Sequence, residues 1–287
     1  MEPLVLGAVA YDAKVVTIWE GFRDWFRDQG LDLDYVLFSN YERQVEALVT
    51  GEISVAWNSP LAWARARRLS ALAGLDVTAV AMRDSDCDLT SVVVVRADDP
   101  VHELGDLAGR VVGVGAVDSP KATLIPLGHL RAAGLAPGED FEVRRHDVGV
   151  GKHGDHVGGE RDAARALMAG EVDAACMIDG NHLVFTTEGT LPAGATRILS
   201  QTPTYDHCNF TALGPESRPA PEVRARFRAL LLRMSYEDAE LRPLLDLEGL
   251  TEWRPGRTSG YDLLEAAITD LGFYDDEGNV TAADYRP

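Results

Sequence analysis

Short apolar runs alternating with amphipathic ones constrain this chain more than any other feature. The opening LVLGAVA is brief, apolar and bounded by glycine, as a buried strand is. Val15, Ile18, Trp19, Phe22, Trp25 and Phe26 then recur at helical spacing, and Gly30 closes that helix. DLDYVLFS reads as a second strand, YERQVEALVTG as a second helix ending at Gly51, and ISVAWNSP as a third strand running into a turn. Parallel strands need a crossover between them, and a helix supplies it. The pattern therefore predicts an α/β protein whose mostly parallel sheets are covered by helices.

A short internal repeat extends this reading. ALVTGEISVAW (Ala47 to Trp57) aligns with ALMAGEVDAAC (Ala166 to Cys176). Each is a helix end, a glycine, a glutamate and a strand, which implies two lobes built on one local plan. SVVVVRADDP marks the passage between them, because Asp98, Asp99 and Pro100 break a strongly strand-forming run. Residues 1–95 are assigned to the first lobe and 96–200 to the second. Residues 201–287 are assigned to a return to the first lobe and a mainly helical tail, in which EVRARFRALLLRMS is the clearest amphipathic segment.

The chain has 287 residues and a formal net charge of -19, so it repels nucleic-acid phosphates and anionic membranes. An anionic ligand has to be attracted locally against that field. Cys87, Cys176 and Cys208 show neither disulfide nor zinc-knuckle spacing. No apolar run is long enough to insert in a bilayer. The start, MEPLVLGAVAYDAK, lacks the features of a signal peptide. The location expected is cytoplasmic as the chain is written, or periplasmic or otherwise extracytoplasmic if a leader has been removed.

AWNSPLAW, VVVVRADDPVHELGDLAGRVVGVG, DSPKATLIPLGHLRAAG and ARALMAGEVDAACMIDGN occur in this order between Leu4 and Leu213. Together they resemble the type 2 periplasmic binding protein superfamily, and most of all its phosphonate/phosphite branch of ABC-transporter solute-binding proteins. The resemblance implies two α/β lobes closing on a ligand in a central cleft, a small anionic ligand of phosphonate, phosphate or carboxylate type, and an ABC permease as partner. The segment matching DSPKATLIP is a run of small hydroxyl residues and glycine in the phosphonate binders. Here Ser119 is kept, while Pro120 and Lys121 replace the hydroxyls that follow.

Ser119 to Thr123 is the first site candidate. Ser119 is a good helix N-cap and Pro120 suits the first helical position, so free amides and the Lys121 ammonium are expected to face an anion. Tyr11 and Asp12 follow the first strand, and Asn58 and Ser59 follow the third, in loops that the resemblance turns toward the cleft. Asp179 and His182 follow the repeat strand of the second lobe. The resemblance gives Asp179 the role of holding a ligand amine. Tyr205, His207 and Asn209 lie at the return crossing, where side chains reach a cleft from its hinge.

GVGKHGDHVGGERD (Gly149 to Asp162) carries two histidines, two aspartates and five glycines. A Gly-rich loop does not hold metal ligands rigidly, and His153, Asp155 and His156 match no established metal motif. No metal is expected there; the loop is read as a lid whose His153 and His156 face the ligand. No cofactor is indicated. The alternative to solute capture is a cytoplasmic enzyme on the same fold, of decarboxylase or cofactor-biosynthesis type, acting on a small carboxylated or phosphorylated metabolite, with metal assistance an option. Lys121 and the histidines are what favour it.

Overall fold

Two sheets share one strand order in a computed structural model of the protein, which describes residues 3–214 and 219–287. The first half-turn of the chain gives β1 (Leu4–Val9), α1 (Lys14–Asp28), β2 (Leu33–Phe38), α2 (Tyr41–Val49), β3 (Val55–Asn58), α3 (Pro60–Leu72) and β4 (Val77–Arg83). The chain then crosses to β5 (Ser91–Arg96), β6 (Val111–Val114), α4 (Ile125–Ala132), β7 (Glu142–Arg145), α5 (Gly158–Ala169), β8 (Ala174–Ile178), α6 (Asp179–Thr187) and β9 (Thr196–Gln201). It returns through β10 (Asn209–Leu213), α7 (Pro221–Leu231), α8 (Arg242–Glu248), β11 (Trp253–Pro255) and α9 (Asp262–Leu271).

The first sheet runs β11-β4-β10-β3-β1-β2 and the second β7-β6-β8-β5-β9. In each, three parallel strands are followed by one antiparallel strand that arrives from the other lobe: β10 beside β3, and β5 beside β8. Because β5 pairs with β8 and β9, the run SVVVV belongs to the second sheet. The crossing lies at 84–90, ahead of the boundary expected after residue 95. The two crossings pair with each other, Leu89 and Tyr205 exchanging backbone hydrogen bonds of 2.8 Å.

The repeat has a backbone cause. Gly51 and Gly170 both take positive φ (78° and 75°), and the amides of Glu52 and Glu171 donate to Ala47 and Ala166 carbonyls at 2.9 Å. This closes both helices in the same left-handed turn before the next strand. The valine run has a packing cause. Val93 and Val95 enter one apolar cluster with Leu127 and Leu130, while Val92 and Val94 enter another with Ala163, Leu167 and Phe185. A strand covered by helices on both faces is apolar at every position.

The first lobe centres on an aromatic cluster of Trp19, Phe22, Phe26, Trp57, Phe210, Phe227 and Trp253. A further cluster joins Leu61 and Ala64 of α3, Leu124 and Ile125 beside α4, Leu264 and Ile268 of α9, and Phe273, Tyr274 and Tyr285 of the tail. The segment after α9 thus packs on both lobes.

The interlobe cleft

A cavity of about 190 Å³ opens between the lobes, bordered by Tyr11, Trp57, Arg83, Asp86, Lys121, Asp155, His207 and Cys208. Most of these residues come from strand ends and crossings; Lys121 comes from the helical turn before α4 and Asp155 from the loop after β7. Tyr11 follows β1, Trp57 lies near the end of β3, Arg83 ends β4, and His207 and Cys208 lie on the return crossing just before β10.

Lys121 brings a cation to the cavity wall. Its ammonium makes no hydrogen bond among the described residues and stands 3.8 Å from Glu160 Oε1. Glu160 is itself pinned, its Oε2 accepting from the Ile178 amide at 3.0 Å and from Asn181 Nδ2 at 2.9 Å, while Oε1 has no hydrogen-bond partner. Arg83, in contrast, is used up inside the wall. It grips Asp86 through Nε (2.5 Å) and Nη2 (3.0 Å), donates from Nη1 to the Glu248 carbonyl (2.7 Å) and to Glu248 Oε1 (3.2 Å), and lies over the Trp57 ring. Burial alone would raise the Asp86 carboxyl, but the Arg83 guanidinium holds it well below the usual carboxylate range. Glu248 goes the other way: burial, reinforced by Asp86, outweighs Arg83 and pushes it up to about 7. Burial first, then Asp86 and Asp155, push the Cys208 thiol well up, so it stays a neutral S–H.

The helix start read as an anion cradle is covered. Ser119 caps it, its Oγ accepting from the Ala122 amide at 3.2 Å, and Gly154 presses on it: a β-carbon there would come within 2.3 Å of Ser119 Oγ. Thr123 donates to the Ala116 carbonyl at 2.8 Å and borders a different hollow beside the tail. Of this trio only Lys121 reaches the cleft, because the loop after β7 occupies the space in front of the cap.

That loop is a strap from the second lobe to the first. The Asp118 carboxylate accepts from the Gly151 and His153 amides at 2.7 and 3.1 Å, and the Gly151 carbonyl accepts from the Tyr41 amide at 3.2 Å. The Lys152 ammonium donates to the Ser39 carbonyl and the Tyr41 hydroxyl to Asp155 Oδ2. His153 is fully buried at φ 49°, stacked on Tyr41, with Nδ1 2.6 Å from Ser59 Oγ and Nε2 3.1 Å from Glu42 Oε1. His156 is exposed, and its Nδ1 accepts from the Gly158 amide at the start of α5. Neither histidine borders the cavity; the strap contributes Asp155 instead. The expected ligand-facing lid histidines are therefore a buried fastener and a surface cap.

Several other expected site residues serve the fold. Asn58 links Gln44 and Thr211, Ser59 caps α3 through the Ala62 amide, and Asn209 bonds Tyr261 and Thr211. Tyr205 shares a 2.7 Å hydrogen bond with Ser91 inside the hinge. Asp12 is exposed and accepts from the Lys14 amide. Asp179 is exposed and accepts from Thr90 Oγ1 at 2.8 Å, and His182 faces Thr196 at 3.4 Å. Tyr11, Lys121 and His207 are the expected residues that do border the cavity. Trp57, Arg83, Asp86, Asp155 and Cys208 were not expected. The polar run RDSDCD, directly at the crossing, was the available signal for Arg83 and Asp86.

Among the described residues, Asp86, His207 and Cys208 are the one Asp/His/Cys group tight enough to consider for a metal. The Arg83 guanidinium already occupies both oxygens of that carboxylate, which is unfavourable for a cation.

A sequence profile described as ABC transporter, phosphonate, periplasmic substrate-binding protein matches residues 8–261. Among solved structures, PhnD1 from Prochlorococcus marinus (MIT 9301), in complex with methylphosphonate, superposes with a TM-score of 0.69 at 18% identity, covering 94% of this chain and 98% of that one. A Xanthomonas citri protein bound to chloride gives 0.69 at 19% identity, over 94% and 97%. The periplasmic aliphatic sulphonate binding protein SsuA from Escherichia coli gives 0.59 at 19% identity, over 94% and 91%. At these identities the likeness carries the fold: two lobes, each with its own sheet, as the strand orders display.

Proposed function

The chain belongs to the phosphonate-type periplasmic substrate-binding proteins of ABC transporters, and from that premise we propose that it captures a small solute by seating an oxyanion on Lys121 between its lobes. Solute binding is the family's function, and it implies a small-molecule ligand and a permease partner. The ligand class is read from the cleft. The single observation that carries it is the Lys121 ammonium, which borders the cavity and makes no hydrogen bond among the described residues. A charged donor with hydrogen-bonding capacity to spare stabilises an anionic acceptor more than a neutral donor does.

The rest of the wall limits what accompanies that anion. About 190 Å³ is well under the roughly 300–1,000 Å³ of drug-sized pockets, so the ligand is small. Asp155 Oδ1 and the Tyr11 hydroxyl have no hydrogen bonds among the described residues and suit a second polar group on the ligand. No helix among the described residues is long and apolar enough to cross a membrane. We infer the family's extracytoplasmic setting and delivery to a permease for this chain as well.

The test is calorimetric titration with methylphosphonate, 2-aminoethylphosphonate, methanesulfonate, inorganic phosphate and acetate, beside native mass spectrometry of the protein as purified. Binding of at least one oxyanion, lost in Lys121→Ala, is expected. A wild-type protein that binds none of them, or an unaffected Lys121→Ala variant, would remove the reading.

A further inference from the structure

His207 borders the cavity, is 4% exposed, and has a ring nitrogen, Nε2, that is buried without a hydrogen-bond partner among the described residues. Everything else about the residue is held. Its amide donates to the Asp86 carbonyl at 2.8 Å, its carbonyl accepts from the Tyr261 hydroxyl at 2.9 Å, and its Nδ1 lies 3.3 Å from Asp86 Oδ1 and 3.1 Å from Cys208 Sγ. An orphaned nitrogen on a ring fixed this firmly calls for a partner, since an unmet buried polar group is costly.

Whether Nε2 carries a proton decides what that partner is. Both oxygens of Asp86 already accept from Arg83, at 2.5 and 3.0 Å. The neighbouring Cys208 is a neutral thiol with a proton to donate, and its sulfur meets hydrogen-bond distance to Nδ1. With Nδ1 accepting from the thiol, the proton of a neutral ring sits on Nε2. A doubly protonated ring carries it there too. Both forms offer an N–H from Nε2; only a neutral ring protonated at Nδ1, toward Asp86 Oδ1 at 3.3 Å, lacks it.

We propose that His207 is a ligand-facing hydrogen-bond donor, and that its Nε2–H and the Lys121 ammonium together seat one oxyanion head group. The inference rests on the reading of the cleft given above and adds the residue that completes the seat. A donor at this point favours phosphonate, sulfonate or carboxylate oxygen, whereas a lone pair would repel it. Cys208 is then a positioning residue. Without its S–H, Nδ1 is free to take the proton toward Asp86, and Nε2 becomes an acceptor.

Methylphosphonate, inorganic phosphate and methanesulfonate are titrated into the wild type, His207→Leu, His207→Gln and Cys208→Ala, with melting curves as the check on folding. His207→Leu should weaken the best of these ligands by about tenfold to a hundredfold, the worth of a hydrogen bond to a charged group. His207→Gln, whose amide N–H reaches a similar place, should recover most of it. Proton–nitrogen correlation spectra should show the Nε2–H form of His207 in the wild type and a shift toward Nδ1–H in Cys208→Ala. Unchanged affinity in His207→Leu, or an Nδ1–H imidazole in the wild type, would overturn the inference while leaving Lys121 in place. A wild type that binds no oxyanion would overturn the reading of the cleft itself.

Discussion

His153 Nε2 lies 3.1 Å from Glu42 Oε1, although the two residues belong to different lobes and are 111 positions apart. The contact is sealed: His153 is fully buried, and the Tyr274 hydroxyl donates to the same Glu42 oxygen at 3.0 Å. One imidazole therefore links the strap, α2 and the C-terminal tail, and neither His153 nor Glu42 borders the cavity.

His153→Ala should cost stability first. It leaves the Glu42 carboxylate buried without its partner, a loss of about 3–5 kcal/mol by analogy with other broken buried pairs. Urea unfolding at pH 7 measures it. A loss below about 1 kcal/mol, with a large drop in ligand affinity, would return His153 to the ligand.

The same pair predicts an acid limb. Burial would raise the Glu42 carboxyl, but His153, with help from Tyr285, lowers it from 4.5 to about 2. A carboxylate depressed in the folded state stabilises above pH 4.5, and that contribution is lost as pH falls through 2. Glu42→Gln should flatten the decline in stability between pH 4.5 and 2. An unchanged slope would show that the pair carries none of it.

Gly154 and Gly170 separate steric contact from backbone strain. Both have φ 75°, but a β-carbon on Gly154 would strike Ser119 Oγ at 2.3 Å, whereas one on Gly170 meets nothing within 4 Å. Gly170→Ala should cost about 1–2 kcal/mol, the penalty of a left-handed alanine. Gly154→Ala should cost more and expose the strap to proteolysis between residues 149 and 158. Equal costs would mean that the strap does not press on the cap.

Lys121 and Ser119 should part company in binding. Lys121→Ala is expected to weaken methylphosphonate or the best oxyanion found by about tenfold or more. Ser119→Ala should lose about 1 kcal/mol of stability as a removed cap, with affinity nearly unchanged. An equal loss of affinity in Ser119→Ala would mean that the helix start opens to the ligand in solution.

Glu248 predicts an opposite pH trend. Its carboxyl rises from 4.5 to about 7 in the fold, so the folded state holds the proton more tightly and this group's contribution falls as pH rises from 4.5 to 7. Glu248→Gln should therefore gain on the wild type across that window, by roughly 1–3 kcal/mol at pH 8. Melting curves at pH 5 and 8 measure the difference, and a gain that does not grow with pH would contradict it.

Much of the fold is legible in local pattern. Apolar spacing over Val15–Phe26, the glycines at 51 and 170 and the four valines of β5 each act through neighbours on the same segment or the same sheet face, so periodicity reports them. The crossing before β5 was less legible, since a strand-forming run does not say which sheet it joins.

The site divided on the same physical line. Tyr11, Lys121 and His207 were named from strand ends, a capped turn and a crossing, which are local features. Whether Ser119 faces ligand or loop depends on Gly154, 35 positions on, and whether His153 faces ligand or core depends on Glu42 and Ser59 in the other lobe. Sequence by itself determined where polar groups and turns stand along the chain, because torsional preference and side-chain spacing are properties of neighbouring residues. Only the tertiary structure decided which of those groups remain unpaired beside the cavity, because a polar group is used up by partners that long-range packing brings to it.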